Sequence, residues 1–164
     1  MALRRLHNDD WGFESNCFVC EARNERGLQV PFFHDDEANL VVAELELGNA
    51  FSGAPNFVHG GLTLAVLDEA QAWVCMAVGG RWAVTKETTT RFLRPVYVDR
   101  PYRVEARLLE FDDGHMRTSG VVLDEKGKAR AESVAVFATF GEAYLRTAIG
   151  PQGPAIGPPE GPGR

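Results

Sequence analysis

The sequence has too few cysteines to be held together by disulfides. Three in 164 residues cannot build a disulfide framework, and an odd count points to a reducing compartment. It has no excess of positive charge. The formal net charge is −6, and Lys and Arg are scattered singly or as the pair Arg4-Arg5. No basic patch opposes the overall field, so nucleic acid is not an expected partner. It lacks the run of ~20 apolar residues that a membrane helix needs. Met1 to Asp10 contains no apolar core of signal-peptide length. The expectation is a cytoplasmic protein with no membrane contact. Internal repeats are also missing. What is present, 45% apolar and 24% charged residues, is the balance of a globular domain. It excludes wholly disordered, collagen-like and coiled-coil chains.

The composition shifts once. From Gly150 to Arg164, ten of fifteen residues are Gly or Pro, and such a segment has few apolar side chains to offset its ordering entropy. We expect one domain over residues 1–148 and a disordered or extended tail over 149–164.

Before the tail, the dominant pattern has period two. In Leu40 to Leu47, Val41, Ala43, Leu45 and Leu47 share one face, and Glu44 and Glu46 share the other. Tyr102 to Leu108 alternates more cleanly. Met116 to Leu123 and Ala129 to Phe140 are two further strands, joined by a turn at Asp124 to Gly127. Asp112-Asp113-Gly114 marks the turn before them. Gln29 to Phe33 is a short strand that Pro31 pushes toward an edge, and Val84 to Leu93 is a longer one ended by Pro95. Gly61 to Val78 breaks the rhythm. It is apolar around almost the whole helical wheel and contains no Pro, which predicts a helix buried on all sides and stopped by Gly79-Gly80. Two strands, a buried helix and four strands with tight turns make an α+β fold: a curved antiparallel sheet wrapped around one long central helix.

Chemistry concentrates on that helix. Its only charges are Asp68 and Glu69, and a carboxylate on a buried helix is costly unless paired, hydrogen-bonded or protonated. At 100° per residue the two point in different directions. Each either meets solvent or a charged partner at an interface, or serves a site. Asn56-Phe57-Val58-His59-Gly60-Gly61 leads into the helix, and two glycines at a helix start either allow close packing or leave the first-turn N–H groups open to a negative oxygen. Asp68 follows His59 by nine residues, so an oxyanion site with an acid farther along suits acyl transfer. Thr85 to Arg91 is seven polar residues in succession. Such a strand meets water, ligand or another subunit on both faces. Cys17-Phe18-Val19-Cys20 is a CxxC, but zinc wants two further ligands at matching spacing. No second CxxC exists, so no metal site is expected.

These segments together resemble a known family. The run NFVHGGLTLAVLDEA, Asn56 to Ala70, looks like the signature of hotdog-fold thioesterases of the phenylacetate-pathway (PaaI-like) type. AVTKETTTRFLRPV, Ala83 to Val96, continues the likeness, with Thr85 ten residues before Pro95 as in that family. CFVCEARNERGLQV, Cys17 to Val30, is similar to the opening of many members. The resemblance implies a hotdog fold and a homodimer or dimer of dimers with an acyl-CoA site between subunits. It implies hydrolysis of the thioester, with no cofactor and no metal. The N–H of Gly60 would polarise the carbonyl, and Asp68 would act as general base or nucleophile. Thr85 of the facing subunit would orient the water or the acid, and His59 would orient the turn. Asn56, Gly61, Glu69, Arg91 and Arg94 are the expected substrate-binding residues, the arginines for phosphate. The sequence departs from the family at Gly53, where many members carry Asn or Gln, and the nearest amide is Asn56. That departure keeps a non-catalytic acyl-thioester binder as the alternative. A lyase of the same fold would set its His and acid in a Pro-containing motif, and that pattern is absent.

Overall fold

The alternation of apolar and polar residues builds the sheet. In the computed structural model, strands β1 (Leu3–Arg5), β2 (Phe32–Asp35) and β3 (Leu40–Leu45) precede helix α1 (Gly60–Ala77). Strands β4 (Ala83–Phe92), β5 (Tyr102–Asp112), β6 (His115–Leu123) and β7 (Ala129–Thr139) follow it. The structure describes residues 3–11 and 14–141, with Ala143, Tyr144 and Thr147 beyond them. The expected end of the domain at 148 and the expected tail, 149–164, lie outside the described residues. The strands form one antiparallel sheet in the order β1-β2-β3-β5-β6-β7-β4. The sheet curves around α1, which packs against every strand from β2 to β7. This is the expected hotdog architecture. Among the described residues, no helix is long and apolar enough to cross a membrane.

Some elements differ from the expectation. β1 was not anticipated: its three residues are exposed, so they carry no apolar alternation. The strand expected over Gln29 to Phe33 begins later, at Phe32. Gln29 adopts a left-handed backbone, φ 53°, and the N–H of Val30 is taken by the carbonyl of Val19 at 2.8 Å. β5 runs past Leu108 to Asp112, with a register shift between Leu108 and Glu110.

Helix α1 is capped at both ends. His59 stands at the N-cap, and its Nδ1 accepts the N–H of Gly61. Gly80 has φ +65°, the left-handed conformation that lets its N–H reach back to the carbonyl of Met76 at 3.1 Å. Val66, Leu67, Ala70, Trp73, Val74 and Met76 fill the core with Val41, Val104 and Val122 from the sheet. Each large apolar side chain withdrawn from water contributes on the order of 1.5–3 kcal/mol.

Two features of the helix correct the sequence reading. The helix is not covered all round, because Leu64, Ala65, Asp68 and Ala72 remain half-buried and Gly61 is exposed. Its core face also carries a polar residue, Gln71. Its Nε2 donates to the carbonyl of Leu67 at 3.0 Å and to Oγ of Ser133 at 2.6 Å, and its Oε1 accepts from Oγ1 of Thr118 at 2.9 Å. Gly120 makes room for it, since a Cβ there would stand 3.2 Å from Nε2. This satisfied network ties α1 to β6 and β7 in one register.

Candidate active site

The segment before α1 is held tightly. The N–H of His59 donates to the carbonyl of Phe51 at 2.9 Å, and that of Val58 to Val96 at 2.8 Å. Asn56 takes a left-handed backbone, φ 67°, and its carbonyl accepts from Val98 at 3.0 Å. Asn56 is an exposed turn residue two positions before Val58. Gly53 leaves room for the imidazole, because a Cβ at 53 would lie 3.1 Å from Cα and Cδ2 of His59. An amide side chain at that position would have to displace the ring.

The ring of His59 does a specific job. With Nδ1 accepting from Gly61 at 2.9 Å, its lone pair is used as a cap. Gly61 is thereby removed from the set of free donors. The preceding N–H, that of Gly60, has no acceptor among the described residues and is exposed. It opens onto a cleft of about 440 Å³ lined by Gly53, Phe57, His59, Phe92 and Arg94 among others. An unpaired N–H at the positive end of an eighteen-residue helix is suited to receive a negative oxygen.

Asp68 lies elsewhere. Eight residues at 1.5 Å each put it about 12 Å farther along α1 than Gly60. Oγ1 of Thr85 donates to its Oδ1 at 2.6 Å, a short charge-assisted bond. The pairing register of β4 with β7 shifts between Thr85 and Glu87, and such a bulge re-aims side chains at the edge of a sheet. The Asp68–Thr85 contact is made within one chain, so it corrects the expectation that Thr85 reaches the acid from a facing subunit. The two lie only 17 residues apart, across the α1–β4 connection.

Glu69 turns away from this pair. Its Oε1 sits 3.4 Å from Sγ of Cys17. Its carboxyl is pushed up to about 8, by burial first and by the neighbouring Cys17 second. Among the described residues, no Lys, Arg or His forms an ion pair with it. In this chain it therefore belongs to a different surface from Asp68. The Cys17 thiol is lowered to about 5, chiefly by its bond with Cys20, and that of Cys20 is raised by the same contact.

The two expected arginines also separate. Arg94 lines the cleft at the helix start, with Nη1 donating to the carbonyl of Ala129 at 2.9 Å. Arg91 pairs with Glu132 at 3.1 Å on β7 and faces another groove, with Arg107 and Ser119. The polar run of β4 is exposed along almost its whole length, and β4 is an edge strand. Two features escaped the sequence reading: the approach of Glu69 to Cys17, and Phe92, 57% exposed beside Gly60. The CxxC itself was visible, but its third partner lies 52 residues from Cys17.

A long helix seated in one curved antiparallel sheet, with an open N–H at its start and an acid partway along, defines a hotdog protein. The family model of the thioesterase superfamily matches residues 55–131, so this stretch of the hotdog-fold chain is similar to that superfamily. The E. coli PaaI protein from the phenylacetic acid degradation operon is similar at 18% identity, with a TM-score of 0.63 over 70% of this chain and 81% of that one. A Ralstonia eutropha phenylacetic acid degradation-related protein is 25% identical over 68% of this chain and 85% of that one, with a TM-score of 0.60. A Streptococcus mutans protein solved with acetyl CoA bound is 16% identical over 63% and 82%, with a TM-score of 0.60. A thioesterase superfamily protein, 24% identical with a TM-score of 0.65, matches 70% of this chain, but the match spans only 56% of its own length. No curated protein matches the sequence.

Proposed function

We propose that the protein hydrolyses the thioester of an acyl- or aryl-CoA to the free acid and CoA, at a site that two protomers build together. The reading is carried by the separation of two complementary half-sites on one helix. The Gly60 N–H is open at the start, and Asp68, backed by Thr85, is about 12 Å away. One carbonyl carbon cannot meet both within a chain. A second copy related by a two-fold axis brings the acid of one protomer to the donor of the other. The exposed edge strand β4 and the half-buried flank of α1 around Asp68 suit that contact.

In this reading the Thr85 hydroxyl holds Asp68 as a base for water or as the attacking carboxylate. The Gly60 N–H and the helix dipole stabilise the oxyanion that forms. His59 acts by capping, which keeps Gly61 occupied and Gly60 open. Arg94, at the rim of the cleft, meets a phosphate of CoA. The likeness to the acetyl CoA-bound protein supports CoA thioesters as the substrate class.

Thiol release from a panel of acyl-CoAs tests this. Asp68→Asn should lower turnover at least about a hundredfold; unchanged turnover removes Asp68 from the mechanism. Gly53, which has no amide to position water, favours the second reading, a non-catalytic acyl-thioester binder. Tight acyl-CoA binding by calorimetry with no thiol release would establish that reading.

A further inference from the structure

The CxxC lies on a built turn. The N–H of Cys17 donates to Oγ of Ser15 at 3.1 Å, and that of Cys20 donates to Sγ of Cys17 at 3.3 Å. The chain behind it folds back on itself: Leu28 donates to the carbonyl of Phe18 at 2.7 Å, and Val30 to that of Val19 at 2.8 Å. Only glycine fits at position 27, where a Cβ would stand 2.4 Å from the oxygen of Phe18. The side-chain amide of Asn8 donates to Sγ of Cys20 at 3.5 Å.

Helix α1 brings a third donor to this turn. A carboxylate oxygen of Glu69 and the two sulfurs all lie within 4.8 Å of one another. Around a tetrahedral zinc, bonds of about 2.3 Å to sulfur and about 2.1 Å to oxygen give S···O edges near 3.6 Å and S···S edges near 3.8 Å. The observed distance from Sγ of Cys17 to Oε1 of Glu69 is 3.4 Å. Two thiols and an acid therefore converge where no Lys, Arg or His of the described residues supplies positive charge. A disulfide would make use of the sulfurs but leave the carboxylate against them without a counterion.

We propose that Cys17, Cys20 and Glu69 bind a thiophilic divalent cation, of which zinc is the expected one, clamping the N-terminal turn onto α1. Two sulfur donors select zinc over magnesium or calcium. Binding releases the thiol protons to solvent and leaves a fourth position for water. Asn8 orients one sulfur from outside the ligand set.

The test uses the full-length reduced protein. It is equilibrated with zinc chloride, dialysed and analysed for metal, and cobalt chloride is titrated in parallel while thiolate-to-cobalt absorption is followed. The expected result is about one metal per chain with thiolate charge-transfer bands. The double variant Cys17→Ser, Cys20→Ser should lose the metal, and Glu69→Gln should weaken binding at least about tenfold. Reduced wild-type protein that takes up neither metal overturns the proposal, as does metal retained by the double variant. A Cys17–Cys20 disulfide formed in air, with no uptake by the reduced form, overturns it in favour of a redox pair. Should the double variant fail to fold, the wild-type cobalt spectrum decides: thiolate bands support the site, and cobalt bound without them refutes it.

Discussion

Replacing Gly60 by proline removes the N–H that the proposed site offers to the thioester oxygen, at a helix position where proline is accepted. Gly60 is the first residue of α1, where a missing N–H breaks no helical bond. The residue before it, His59, has φ −59° and ψ 130°, the extended conformation that proline demands of its predecessor. The donor itself has no partner to lose. Proline also narrows the unfolded ensemble, worth about 0.4–1 kcal/mol, so the melting temperature should hold or rise slightly. Turnover should fall about 10²–10³-fold, the cost of one oxyanion donor at about 2.7–4 kcal/mol. Gly60→Ala is the control. Its Cβ would meet the Phe92 ring at 3.6 and 3.8 Å, ordinary contact distances, and the N–H is kept, so turnover should stay close to wild type. The assay is the initial rate of thiol release at saturating acyl-CoA, with a thermal melt on each variant. Mixing Gly60→Pro with Asp68→Asn protomers extends the test. Each mixed dimer inherits one site with both halves intact, so random exchange should restore about a quarter of wild-type activity. Wild-type turnover by Gly60→Pro refutes the oxyanion role. Failure of mixed dimers to recover any activity, with exchange verified, refutes the shared site.

Thr85→Val should cut kcat about tenfold with little change in KM, because a partly exposed bond to a carboxylate sits at the low end of about 1.5–3 kcal/mol; steady-state kinetics reads it. Gln71→Leu leaves the buried hydroxyls of Ser133 and Thr118 without their partner, and should cost about 2–4 kcal/mol in urea unfolding. Asp124 is held below the usual carboxylate range by the N–H of Lys128 first, with Arg130 also contributing. A depressed folded value means that its contribution is present above the unfolded value of about 3.9 and fades as pH falls through the folded one. The melting difference between wild type and Asp124→Asn should therefore be seen at neutral pH and shrink in acid.

The sequence by itself determined the local order of this protein. Period two placed β3, β5, β6 and β7, and an unbroken apolar stretch placed α1, because both patterns follow from where consecutive side chains point. The helix start near His59-Gly60-Gly61 was legible for the same reason, but that His59 caps Gly61 and leaves the Gly60 N–H open was decided by the folded turn. Tertiary structure decided the rest. Period and spacing cannot say that Asp68 meets Thr85 of its own chain, because a bulged edge strand and its crossover settle that contact. The same holds for Glu69 turning to a cysteine pair at the far end of the sequence, and for Gln71 finding Thr118 and Ser133 in the core. β1 had no pattern to reveal it, since its place depends on the unpaired edge of β2. Partners distant along the chain are chosen by how the sheet closes on the helix, and that closure is a property of the packed whole.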